Sequence, residues 1–208
     1  MSKLVIETQY FPPIATFAEM HKVDEVYIEA CENYQKRSYR NRAHIAGPNG
    51  FLRLSIPLEK GKNEKQLITN VSIVDDIWRN EHVQSIKSAY SNAPFYIYYA
   101  DGIFDLMHSK EGSLFTYNWN ITKHILSILS INTNLFRTIE YINEVDCFDL
   151  RNQISPRAKD KIYYKAPFYE QVFEEKYAFI PNLSILDLLF CKGPESIIYL
   201  QDYNLFKD

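Results

Sequence analysis

The run Lys36-Arg37-Ser38-Tyr39-Arg40-Asn41-Arg42-Ala43-His44 places four Lys/Arg within seven residues of a chain whose net charge is −3. Guanidinium forks grip phosphate or carboxylate at two points, and Asn41 adds a neutral donor and acceptor. The run predicts an anionic small-molecule ligand, such as a nucleotide-sugar or a phosphorylated carrier, held by Lys36, Tyr39, Arg40, Asn41 and Arg42. The same residues would also make a solvated, salt-bridged edge with Glu29 and Glu32 as partners. Those two glutamates are candidate general bases, since a carboxylate tuned by burial or neighbours can take a proton from an attacking group. Beside arginines they can equally be ionic structure. Cys31 is a nucleophile if cations lower its pKa, and otherwise a buried spectator thiol. His82 follows Arg79 by three residues, so a helix would carry both on one face. The pair suits a proton shuttle beside an anion, or a partly exposed histidine at a helix start. In Pro181-Asn182-Leu183-Ser184-Ile185-Leu186-Asp187, Asn182 or Ser184 can cap the following helix, with Asp187 completing a capping box. A helix start of that kind also takes an anion. The other histidines (His21, His44, His108, His124) lack metal-ligand spacing, so neither a metal nor a cofactor is expected.

The elements that must position these residues begin with a strand at Leu4–Thr8, stopped by the loop Gln9-Tyr10-Phe11-Pro12-Pro13. Two prolines end a strand and pre-set φ for a helix. Ile14, Phe17, Ala18 and Met20 then approximate helical spacing, and Glu25–Glu29 reads as a second strand. Strand, helix and strand make a Rossmann-like βαβ start with parallel strands. Ligands of such sheets sit beyond the carboxyl ends of the strands, which puts Gln9, Tyr10 and the residues after Glu29 on the binding edge. Asn49-Gly50 between apolar segments predicts a hairpin over Ala43–Ala46 and Phe51–Pro57. Leu67–Val74 reads as a strand. Helices are expected from Trp78 to the stop at Asn92-Ala93-Pro94, over Phe95–Met107 and over Leu114–Leu129. Leu135–Tyr141 and Phe148–Ser155 read as strands, Lys159–Ala166 as a mobile connection, and Ile185–Phe190 as a helix stopped by Gly193. The expectation is one α/β domain over residues 1–208, with a mixed sheet and a more helical second half.

Composition removes several function classes. The chain has 208 residues, 46% of them apolar and 24% charged, enough to bury roughly 70% of its unfolded surface. A slightly acidic chain is not the clearly basic one expected of a nucleic-acid binder. Six glycines cannot be arranged into a P-loop or a G-x-G-x-x-G turn. No apolar run approaches the roughly 20 residues of a membrane span. Three scattered cysteines suit reduced thiols, and a cytoplasmic location is expected. A homo-oligomer, with the basic run paired across it, is compatible with all of this.

Five motifs in order carry a resemblance. They are Gln9-Tyr10-Phe11-Pro12-Pro13; Tyr34-x-Lys36-x-x-Tyr39-Arg40-Asn41-Arg42; Trp78-Arg79-x-x-His82; Ala89-Tyr90 with Pro94-Phe95; and Pro181-Asn182-Leu183-Ser184-Ile185-x-Asp187. Together they resemble the WbqC-like protein family, in the form found in Bacteroidetes-type bacteria, over nearly the whole chain. The resemblance implies a role in O-antigen or other surface polysaccharide biosynthesis, with glycine (aminoacyl) or acyl transfer to a nucleotide- or lipid-linked sugar. A non-catalytic module that binds a nucleotide-sugar or another anion is the alternative. Under the transferase reading substrate contacts are expected from Gln9, Tyr10, Lys36, Tyr39, Arg40, Asn41, Arg42, Arg79, Asn182 and Ser184, with His82, Glu32 or Glu29 handling the proton. Ala30 and Cys31 stand where the wider family commonly has an acidic pair, and Asn33 where a Gln is usual. The first loop is loosely similar to nucleotidylyltransferase folds, whose His-x-Gly-His phosphate signature is absent.

Overall fold

The computed structural model describes residues 2–59, 65–142, 147–156 and 162–207. In β1 (Lys3–Glu7) Leu4, Val5 and Ile6 are all buried, as a strand covered on both faces requires. Pro12 and Pro13 end it, and α1 (Ile14–His21) starts at the next residue. Ile14 through Met20 are buried in the common core, where this helix packs against the C-terminal helices. β2 (Glu25–Glu29) then pairs in parallel with β1, Lys3 opposite Glu25 and Glu7 opposite Glu29. That register sets two carboxylates side by side at the carboxyl edge of the sheet.

A hairpin follows, β3 (Arg42–Gly47) with β4 (Gly50–Ser55), and Gly47 faces Gly50 across a two-residue Pro48-Asn49 turn. Gly50 has φ 96°, the conformation for which the turn needs glycine. Three helices come next: α2 (Trp78–Tyr90), α3 (Tyr96–Met107) and α4 (Leu114–Ile128). β5 (Asn134–Arg137) and β6 (Phe148–Asp149) complete a four-stranded sheet in the order β5-β2-β1-β6, parallel throughout. The fold is thus α/β with a strand–helix–strand start. Its antiparallel strands stand apart from that sheet, in the hairpin and in a ribbon of β7 (Ile162–Lys165) with β8 (Asn204–Lys207).

α5 (Ile185–Lys192) is buried from Ile185 to Cys191 and stops at Gly193, with α6 (Ser196–Asp202) beyond. A Cβ on Gly193 would lie 2.3 Å from the Phe95 ring, so only glycine lets the helix end there. The segment before α5 is stitched to the first loop: Ile185 N donates to Pro12 O (2.9 Å), Ile14 N to Leu183 O (3.0 Å) and Ser184 N to His44 O (2.7 Å). One apolar cluster runs from Leu4 to Tyr203.

Four expected elements differ. Leu67–Val74 is no strand but a short 3-10 turn (Ile68–Asn70), whose Ile68 N–H bonds Glu32 O while Ile73 N–H bonds Gly112 O. Ile68, Val71 and Ile73 are drawn into the core between loops, away from any sheet edge, while Leu67 is exposed. The Leu135–Tyr141 strand ends at Arg137, because the Thr138 hydroxyl takes over the Ala30 N–H. The Phe148–Ser155 strand is two residues long, since Asp149 turns the chain by accepting from Arg151 N. Of Lys159–Ala166, residues 159–161 lie outside the described residues and Ile162–Lys165 is β7.

Candidate functional site

At the carboxyl edge the parallel register gathers charges distant in sequence. Glu7, Glu29 and Glu32 are buried there with Arg40 and Arg151. Glu7 accepts from Gln9 Nε2 (2.9 Å) and from Asn152 N (2.8 Å), while Gln9 Oε1 accepts from the Thr16 hydroxyl (2.8 Å). Glu29 Oε1 accepts from the Thr138 hydroxyl (2.6 Å) and Cys31 N (3.0 Å), and its Oε2 from Arg151 Nη1 (2.7 Å). Arg151 also binds Asp149 (2.8 Å) and lies over the Tyr141 ring at 4.5 Å. Both oxygens of Glu29 are therefore engaged, and it anchors the edge.

Arg40 is fully buried. The Tyr39–Asn41 turn, capped by the Ser38 hydroxyl, directs it inward. Its Nε donates to Glu32 Oε1 (2.7 Å), and its Nη2 to Glu32 Oε2 and to Asn152 Oδ1 (3.0 Å). Buried Nη1 makes no hydrogen bond with the described residues. Asn152 has φ 59°, a conformation asparagine tolerates, and it ties Glu7 and Arg40 together. Burial pushes Glu32 up to about 6; Arg40 opposes this, and the charges of Glu7 and Glu29 add to it. Burial works against the charge on Arg40, but Glu32's hydrogen bonds and the nearby carboxylates hold its pKa above the usual value. Glu32 forms one wall of a cleft of about 280 Å³, with Cys31, Asn33, Gln35, Tyr141 and Asn152. It is a carboxylate that exchanges its proton near neutrality, beside space for a ligand.

This corrects the expected basic pocket. Lys36 and Arg37 are exposed, Arg40 is buried against an internal acid, and Arg42 stands half-buried at the start of β3, opposite Ser55. Arg40 is thereby withdrawn from the run as a free anion-binding group. A guanidinium withdrawn from water must be neutralised from within, and Glu32 does this. Three buried carboxylates against two buried guanidiniums leave the edge net negative. Asn41 is spent on structure, accepting from the Tyr34 hydroxyl (3.0 Å) and donating to Ile56 O (2.9 Å). Tyr39 is buried, with its carbonyl on Tyr10 N and its hydroxyl 3.3 Å from His44 Nδ1.

His82 and Arg79 do share a face of α2, but inside an aromatic nest. His82 Nδ1 is 3.0 Å from the Tyr10 hydroxyl, and Trp78 packs edge-on at 5.1 Å. Burial pushes His82 down to about 4, so it is neutral at pH 7. The expected part-exposed histidine is corrected to a buried one. Arg79 lies 4.6 Å over the Trp78 ring and 5.9 Å over Tyr117, bonding Asp75 and the Glu111 carbonyl. No contact among the described residues joins His82 to Glu32.

The last constellation is a clamp. Ser184 caps α5 through Leu186 N (3.3 Å) and donates to Phe11 O (3.0 Å). Asn182, at φ 55°, caps α1 instead of α5, accepting from Ala15 N at 2.9 Å. Asp187 is no capping-box residue: fully buried, it accepts from the Tyr90 hydroxyl (2.8 Å), the Tyr169 hydroxyl (2.6 Å) and Gln171 Nε2 (2.9 Å). Burial raises its pKa against these three donors.

Sequence reasoning passed over Glu7, Thr138, Arg151 and Asn152. Glu7 was findable as the last residue of β1. Arg151 and Asn152 follow a strand of only two residues, too short to show a period.

The fold and edge define a class first: a parallel α/β protein with an ionisable cleft beyond the carboxyl ends of its strands. Residues 8–167 match the model of the WbqC-like protein family, so the chain belongs to that family. A relative from Mycobacterium tuberculosis (strain H37Rv), bearing the name "Uncharacterized protein Rv1507c", is 24% identical over 95% of this chain and 96% of its own length. No solved structure matches the chain significantly. Among the described residues no helix is long and apolar enough to cross a membrane, and no cluster of His, Cys, Asp or Glu could hold a metal ion.

Proposed function

We propose that this protein is a transferase of surface polysaccharide biosynthesis that moves a small acyl or aminoacyl group onto a nucleotide- or lipid-linked sugar. Glu32, with its pKa at about 6 on the wall of the carboxyl-edge cleft, is the observation that supports the reading. Ionised at pH 7, it takes the proton of the attacking sugar hydroxyl or amine. That oxygen or nitrogen bonds to the carbonyl carbon of an activated ester or thioester, and the leaving group departs with the proton that Glu32 returns. Arg40 keeps Glu32 oriented, while Glu29, which does not line the cleft, and His82, held against Tyr10 and Trp78, carry no step. Turnover of nucleotide-sugars with activated amino acids by the purified protein tests this. Glu32→Gln should lose 100-fold or more, in line with the roughly 10²–10⁴ of general base catalysis, with substrate binding retained. The wild-type rate should fall as pH drops through about 6, where Glu32 takes up its proton. Unchanged turnover in Glu32→Gln overturns the reading. Arg40's bidentate hold on both Glu32 oxygens favours a second reading as a binding or scaffold module. That reading predicts bound sugar nucleotide and no turnover by the wild type.

A further inference from the structure

A second cleft, of about 550 Å³, opens between α4 and β5. Phe115 and Trp119 stand four residues apart on α4, one above the other, with ring centroids 6.3 Å apart and planes at 23°. Thr116 and Asn120 form the adjacent row and are exposed. Facing them, β5 contributes Phe136 and Arg137. The Phe136 ring is braced from behind by Tyr27, stacked at 5.3 Å. Arg137 is exposed, and its side chain makes no hydrogen bond or ion pair with the described residues.

The position of this cleft matters as much as its lining. Arg137 pairs with Ile28 at the carboxyl end of its strand. The next residue, Thr138, bonds Glu29 and Ala30, and Tyr141 already walls the Glu32 cleft. Residues 137–141 therefore join the two clefts along one edge. Their electrostatics differ in sign, since the Glu32 side carries a net negative buried cluster while the β5 side presents a guanidinium with no acidic partner among the described residues. An anionic group entering this edge is repelled from the first and held at the second.

We propose that the α4–β5 cleft binds a diphosphate-linked sugar. The apolar face of the sugar ring lies on Trp119, which the buried Phe115 backs, Asn120 and Thr116 bond its hydroxyls, and Arg137 forks onto the diphosphate. A volume of this size lies within the roughly 300–1,000 Å³ of small-molecule sites. That the bound sugar is the acceptor activated by Glu32 rests on the transferase reading; the binding itself does not.

Isothermal titration calorimetry with UDP-glucose and with glucose on citronellyl pyrophosphate, a short soluble lipid carrier, tests the site and separates its two sources. Binding of one or both probes is expected. Arg137→Ala should weaken it about 10- to 100-fold, the scale of a charge-assisted fork, and Trp119→Ala about ten-fold. Of the two tryptophans, Trp78 is buried and Trp119 is not, so a bound probe should shield the protein's fluorescence from acrylamide. Glu32→Gln should leave both affinities unchanged. Failure of both probes to bind at millimolar concentration, or equal affinity in Arg137→Ala, overturns the proposal. Normal binding with full turnover in Glu32→Gln leaves this site standing and removes the proposed function instead.

Discussion

Replacing Arg40 by Met tests the carboxyl-edge cluster most directly. The substitution keeps an unbranched side chain of similar reach in a fully buried position, but deletes three hydrogen bonds to Glu32 and Asn152. Glu7, Glu29 and Glu32 are then left with Arg151 as the one buried counter-charge among the described residues. Breaking a buried pair from one side costs about 3–5 kcal/mol, because the abandoned charge stays dehydrated. For a domain of this size about 1 kcal/mol moves Tm by 2–4 °C, so a fall of roughly 6–20 °C is expected at pH 7.5. The pH dependence gives a sharper test. Glu32 already stands at about 6 in the folded protein, above its unfolded value, and without Arg40 it rises further. A carboxyl raised on folding destabilises when ionised, and the loss is relieved as pH falls through the folded pKa toward the unfolded one. Since one pKa unit is about 1.4 kcal/mol, the difference between variant and wild type should shrink by at least about 1 kcal/mol between pH 7.5 and 5.5. Urea unfolding at both pH values measures it, and other titrating groups cancel in the difference. Glu32→Leu added to Arg40→Met should recover most of the loss, since apolar replacement of both partners is often near neutral. A loss below about 1 kcal/mol at pH 7.5, or an equal loss at both pH values, would refute the reasoning.

Two further outcomes follow from groups held elsewhere in the fold. Burial lowers His82 to about 4, so its contribution to stability is present above its unfolded pKa and is lost as pH falls from about 6.5 to 4, by roughly 3 kcal/mol; His82→Gln should flatten the urea-midpoint profile over that window, and parallel profiles would sink the assignment. Asn182→Ala removes the cap on Ala15 N and replaces a residue that tolerates φ 55° by one that does not, so a loss of about 1–3 kcal/mol is expected in thermal unfolding, with Asn182→Asp, which keeps the acceptor, losing less.

Much of the fold was legible because its signals are local. Pro12-Pro13 sets where α1 begins, the Asn49-Gly50 signal marks the hairpin whose turn is Pro48-Asn49, and the helical periods of α2, α3 and α4 are read from neighbours three and four residues apart. The Glu29–Arg42 stretch also stood out, and the cleft does lie there. Its electrostatic sense was not legible. Four cations in seven residues read as an anion site in water, yet Arg40 turns inward and meets Glu32. Whether a charge is hydrated or buried reverses what it can do, and the local run alone does not determine which.

The amino-acid order alone determined the parallel start, the helices and the carboxyl edge as the place for chemistry, since sterics and period act over a few residues. Only the tertiary structure decided the chemistry itself. The β1–β2 register sets Glu7 beside Glu29, Asn152 reaches Arg40 from 112 positions away, and Arg137 at the outer strand keeps a solvated guanidinium. Burial and long-range pairing assign each charge its role, and both arise only when distant segments share one dehydrated edge.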